Sequence, residues 1–100
     1  SYVPATNRMI AQLDAKKLTG STTIGRVKPG DRFAPYGYDG ITKKVGDFWT
    51  GEGLPARARH NWPIVRSGGE IIWIPGFRIA DSVKVDSTTT DIIRFELVKK

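Results

Sequence analysis

The chain predicts an α+β fold, a small β-sandwich-like sheet core with two or three short helices packed on it. Three observations carry that expectation. β-branched and aromatic runs recur between Gly and Pro breaks, one segment has helical apolar spacing, and 100 residues at 39% apolar content support a single modest core. Residues 1–10 read as a linker left from a longer protein, and residues 11–100 as one domain.

Taken in order, Met9 to Leu13 alternates weakly, as a strand or a helical turn would. Asp14-Ala-Lys-Lys-Leu18 reads as a short helical turn, capped by Asp14 and ended by Gly20. Thr22 to Val27 has strand composition and is broken by Pro29-Gly30. The segment from Ile41 to Thr50 is the best helix. Ile41, Val45, Phe48 and Trp49 share one stripe, Lys43 and Asp47 pair across the other face, Thr42 caps the start, and Gly51 and Gly53 stop it. A second short helix follows Pro55, through Ala56 to His60.

Pro63 to Arg66 and Glu70 to Ile74 flank Ser67-Gly-Gly69 as a β-hairpin. The apolar run from Ile71 to Ile74 does not alternate, which predicts a strand covered on both faces. The last strand, within Asp91 to Val98, points Ile93, Phe95 and Leu97 inward and Arg94 and Glu96 toward water.

Several functions are poorly supplied. There is no cysteine, hence no disulfide and no thiolate metal site, and a single histidine excludes a zinc site built on imidazoles. No apolar run approaches the roughly 20 residues of a membrane span. His60 lies among arginines, without a neighbouring serine or carboxylate to orient it, and reads as a solvated bystander. Asp31, Asp39 and Asp47 each have a structural task in a turn or helix, so no catalytic residue is assigned. Ser67-Gly-Gly69 mimics the start of a phosphate loop, but a strand follows it where such loops open a helix.

What remains is charge. Sixteen Lys and Arg against ten Asp and Glu give +6, which favours polyanions. Arg26, Lys28, Arg32, Lys43, Lys44, Arg57, Arg59 and Arg78 are the candidate phosphate-contacting set, with Arg66 and Lys84 as further cations. Arg32 and Arg78 adjoin Phe33 and Phe77, which fix guanidinium forks at the core edge. Tyr36 and Tyr38 straddle Gly37, either to stack on bases or, more commonly for loop aromatics, to pack half-buried.

Lys28-Pro-Gly-Asp-Arg-Phe33, Pro35, Gly37, Gly40, Lys43-Lys44 and Asp47-Phe48 form an ordered pattern. It continues through Pro55, Arg59, Pro63, Ile72-Trp-Ile-Pro-Gly76, Arg78-Ile79 and Lys84-Val85, and Leu13 to Leu18 precedes it. From about residue 11 to 86 the chain resembles the C-terminal domain of tRNA(Ile)-lysidine synthetase; Trp49 and Gly53 depart from that pattern. The resemblance implies a fold like a domain of the phenylalanyl-tRNA synthetase β chain. It implies a cytoplasmic parent that uses ATP and lysine to convert wobble cytidine 34 of tRNA(Ile) to lysidine. Catalysis then belongs to an N-terminal domain carrying a Ser-Gly-Gly-x-Asp-Ser loop, and this segment grips the acceptor stem without cofactor or metal. The rival expectation is a docking or dimerisation module that touches no RNA.

Overall fold

Strand-forming runs and their turn residues settle into seven short strands and two helices in a computed structural model that describes residues 8–98. The strands are β1 (Ile10–Asp14), β2 (Thr22–Gly25), β3 (Arg32–Phe33), β4 (Lys43–Lys44), β5 (Ile64–Ser67), β6 (Glu70–Trp73) and β7 (Ile92–Glu96). Helices α1 (Val45–Glu52) and α2 (Ala56–Arg59) lie between β4 and β5, and 3-10 turns occupy Ala15–Lys17 and Asp81–Val83. All pairing is antiparallel, in three small sheets: β1 with β7, β2–β5–β6, and β3 with β4. The α+β class is therefore as expected, with the sheet core divided into three pieces.

The hairpin forms as its glycines predict. Gly68 and Gly69 join β5 to β6 with φ of 58° and 85°, the positive values that a two-residue loop matching strand twist requires. Every residue of β5 is buried, as are Ile71, Ile72 and Trp73 of β6 and Ile74 beyond it. Met9 to Leu13 resolves as a strand: β1 pairs β7 with Leu13 opposite Ile93. The Arg8 carbonyl accepts from Gly76 N at 2.9 Å, so the packed unit reaches back at least to Arg8; residues 1–7 lie outside the described residues. Asp14 caps the first 3-10 turn by accepting from Lys16 N at 3.0 Å. Gly20 does not end that turn. Leu18 does, while Gly20 lies against the hairpin tip, where an added Cβ would meet Gly68 Cα at 2.8 Å.

The first helix needs a larger correction. It begins at Val45, not Ile41, and its first two expected residues beyond Thr42, Lys43 and Lys44, are strand β4. Ile41 fits the helical stripe but is 62% exposed, and Thr42 caps nothing. The physical reason is non-local: β3 recruits Lys43 and Lys44 by backbone pairing before the helix can start. The remaining stripe holds, with Val45, Phe48 and Trp49 buried. Gly51 is inside the helix, and left-handed Gly53 is its C-cap. Trp49 is absorbed by the core, although its indole Nε1 finds no hydrogen-bond partner among the described residues.

One buried ion pair ties these pieces together. Arg66 on β5 is only 7% exposed and donates to both oxygens of Asp31, at 3.0 and 2.6 Å, and to the Arg26 carbonyl at 3.1 Å. Asp31 also accepts from Lys28 N at 2.7 Å, and its own carbonyl accepts from Val45 N at 3.0 Å. Burial pushes the Asp31 carboxyl up, but the bonds from Arg66 and Lys28 N and the Arg66 charge outweigh burial and hold its pKa below 3.8.

Asp31→Asn leaves a buried guanidinium uncompensated and should lower unfolding free energy by about 3–5 kcal/mol, read by denaturant titration. Because the folded-state pKa is depressed, the carboxylate stabilises the fold above its unfolded value near 3.8 and loses that contribution as pH falls through the folded value. The denaturation midpoint of the native chain should therefore drop below about pH 4, and that of the variant should drop less.

Candidate nucleic-acid interface

Proline, glycine and aspartate build the scaffold of the basic region as two consecutive turns. Pro35 bridges Ala80, and Tyr36 N donates to Ile79 O at 2.9 Å. Tyr38 N returns to Pro35 O at 3.2 Å across Gly37, whose φ of 92° suits the third position of a type II turn. Ile41 N then donates to Tyr38 O at 3.0 Å across Asp39 and Gly40, with φ of 54° and 75°, as a type I′ turn requires. The chain is thereby reversed twice and delivered to β4.

Tyr38 seats the first pair of cations. Its ring meets Phe48 edge-on at 6.3 Å, and Phe48 in turn meets Phe33 and Phe77, so the ring is anchored in the core. Its hydroxyl donates to Glu52 at 3.4 Å. Lys43 Nζ lies 4.6 Å and Arg78 Cζ 5.3 Å from the ring centroid, both within cation–π range. Arg78 Nη1 donates to Tyr36 O at 3.2 Å, and its buried Nε has no partner among the described residues. The guanidinium is thus pre-set, as its neighbourhood with Phe77 suggested, but the fixing groups are a tyrosine ring and a turn carbonyl.

A second pair sits on the other face of the β3–β4 ribbon. Lys43 faces Phe33 across the ribbon, and Lys44 faces Arg32. Alternation along strands places Arg32 and Lys44 together, away from Phe33, and both are exposed. Like charges directly opposite one another repel, and neither makes an ion pair among the described residues. Lys43 and Asp47, expected to pair at helical spacing, form no ion pair, since Lys43 is in a strand.

The supporting cations divide. Arg26 and Lys28 are exposed at the bend that Arg66 and Asp31 pin. Arg57 is exposed on α2. Arg59 is committed: Nε and Nη2 donate to Leu54 O at 3.0 and 2.8 Å, and Nη1 reaches Thr50 Oγ1 at 3.2 Å. It staples α2 to α1, and its charge lies beside the first turn of α1, 3.4 Å from Gly46 O. Arg66 is no surface cation at all, and Lys84 pairs with Asp81 at 3.2 Å. His60 is exposed. Among the described residues, no cluster of His, Asp and Glu has the makings of a metal site, and no helix is long and apolar enough to cross a membrane.

Reading the sequence for charge missed Tyr38 as the seat of Lys43 and Arg78. The signal was available: an aromatic between two glycine turns, a few residues before a lysine pair.

Residues 22–96 match the model of the TilS substrate C-terminal domain family. The chain belongs to this family. Over 87 residues it is 36% identical to the tRNA(Ile)-lysidine synthase of Caldanaerobacter subterraneus subsp. tengcongensis, covering 87% of this chain and 18% of that protein. The enzyme of the same name from Clostridium acetobutylicum is 31% identical over 94% of this chain and 20% of its own length. That from Bacillus subtilis reaches 47% over 63% of this chain and 13% of its own. The chain thus spans at most about a fifth of these relatives. The crystal structure of a TilS C-terminal domain superposes with a TM-score of 0.75 at 20% identity, over 99% of this chain and 79% of the other, which establishes the shared fold.

Gly37→Ala forces a side chain into positive φ and sets its Cβ 3.2 Å from Arg78 Nη1. The family domain should lose about 1–2 kcal/mol in denaturant unfolding, and Arg78 should leave the Tyr36 carbonyl.

Proposed function

We propose that this chain is the tRNA-binding domain of a tRNA(Ile)-lysidine synthase, gripping the acceptor stem while another domain of the parent performs the ATP-dependent ligation of lysine to cytidine 34. The curated relatives bear that enzyme's name, and each extends far beyond the region matched here. The domain itself carries no chemistry in this reading; ATP and lysine belong to the catalytic domain, and the setting is the cytoplasm.

The observation that carries the reading is the Arg32–Lys44 pair, two exposed cations held opposite each other without an acid between them. Such a pair costs stability in the free protein and is relieved by a shared anion. An A-form stem presents phosphates and 2′-hydroxyls across a shallow minor groove, so it is recognised mainly by shape and charge. Arg32, Lys43, Lys44 and Arg78 act as direct phosphate contacts. Arg26, Lys28 and Arg57 support them from the adjoining bend and helix. Arg59, with its donors turned to carbonyls, contributes its field.

Lys44→Gln tests this directly. Binding to tRNA(Ile) should weaken, the slope of log affinity against log salt should shrink by about one unit or less, and thermal stability should stay level or rise slightly as repulsion with Arg32 is relieved. Equal affinity and slope for native and variant chains would assign these cations to solvation. Absence of any tRNA binding at low salt would favour a docking or dimerisation module instead.

A further inference from the structure

The two tyrosines of the double turn have different fates. Tyr38 is consumed by the core and by its cations. Tyr36 is not: it stands at the second position of the type II turn, 48% exposed, with no aromatic or hydrogen-bonded partner for its side chain among the described residues. Its backbone, by contrast, is held on both sides, through its N–H to Ile79 O at 2.9 Å and its carbonyl to Arg78 Nη1 at 3.2 Å. An exposed apolar ring on a fixed backbone is a stacking shelf whose ordering cost is already met.

Positive charge lies beside the backbone that carries that shelf. Arg78 Nη1 is spent on the Tyr36 carbonyl, while Nη2 makes no bond to the described residues. Lys43 Nζ is held over the neighbouring Tyr38 ring, without a carboxylate.

We propose that the Pro35 to Ile41 double turn binds one unpaired nucleotide, with its base stacked on Tyr36 and its phosphate on Arg78 Nη2 and Lys43 Nζ. This rests on the RNA-binding reading above and deepens it: the domain would recognise the junction between a duplex and its single-stranded flank as well as the duplex. A paired base offers no free face to the ring except at a helix end, whereas every unpaired base does, so the site selects for strandedness more than for sequence.

The test compares two RNAs that share one duplex, one blunt-ended and one carrying a short single-stranded 3′ extension, titrated against the 100-residue chain at low salt. The native chain should bind the extended RNA about 5- to 150-fold more tightly, the range of one stacked base. Tyr36→Ala should abolish that gain, so that the two RNAs bind the variant alike, and Tyr36→Phe should keep the gain. The exposed position makes both variants expected to fold, which thermal melts verify. Equal affinity of the native chain for the two RNAs, or a gain that survives in Tyr36→Ala, overturns the nucleotide site while duplex binding stands. Failure of both RNAs to bind overturns the RNA-binding reading, and the nucleotide site with it.

Discussion

The carboxylate of Asp31 is the point from which the basic region hangs. Its oxygens neutralise a guanidinium buried in the central strand of the largest sheet and also tie down Lys28 N; its carbonyl receives the first N–H of α1. Three segments that carry exposed cations, the bend at 26–28, β3 and the entry to α1, therefore share one anchor. A buried pair of this kind is not a reliable source of net stability, because desolvating two ions offsets most of their attraction. Its value is positional. With Arg66 fixed in β5, only one placement of the bend satisfies both partners, and that placement sets Arg32 beside Lys44.

The aromatic cluster does the same for the second pair of cations. Phe33, Phe48 and Phe77 meet edge to face at 5.1 and 6.0 Å, a geometry that suits ring quadrupoles and leaves little freedom to rotate. Tyr38 joins this set through Phe48, so its face is fixed relative to the core. Lys43 starts from a strand position facing Phe33, and its ammonium group reaches that ring, 4.6 Å from the centroid. Hydrophobic burial thus decides where an ammonium group ends up. That link runs from core packing to electrostatics without an acidic partner.

Much of this was legible in the residues. The hairpin follows from Gly68-Gly69, the covered strand from an unbroken Ile-Ile-Trp-Ile run, and α2 from the proline before it. The family pattern in the sequence also contains Lys28, Arg32, Lys43, Lys44, Arg59 and Arg78 of the basic set. What failed was non-local. Ile41 obeys the helical wheel, yet pairing between Lys43–Lys44 and Arg32–Phe33 delays the helix by four residues, and the helical pattern from Ile41 to Thr50 does not itself contain β3. Arg66 looked like one more surface cation because its partner lies 35 residues earlier in the chain. A cue was present: an arginine between Val65 and Ser67, in a strand facing an apolar run, must find an acid or break the core. The commitment of Arg59 was hidden for a similar reason, since the Leu54 carbonyl that takes two of its donors follows a different helix.

Charge is partitioned by this fold. Lys16, Lys17, Lys84 and Arg94 each reach an acid within 3.9 Å, and Lys17 is held by both Asp14 and Asp86, whose carboxyl is driven well below its ordinary value by the Lys17 and Thr88 bonds. These pairs gather where the 3-10 turns meet the β1–β7 ribbon. Around the double turn and α1 the pattern reverses: the described cations there lack ion pairs, although Asp39, Asp47 and Glu52 are near in sequence. A chain that needed its charge only for solubility would have no reason to neutralise one group of cations and leave Arg32 and Lys44 opposed, because interspersed signs serve that purpose with less self-repulsion. On the RNA-binding reading proposed above, an incoming polyanion completes this arrangement of unpaired cations on rigid turns and core-anchored rings, since each phosphate both cancels the repulsion and releases counterions.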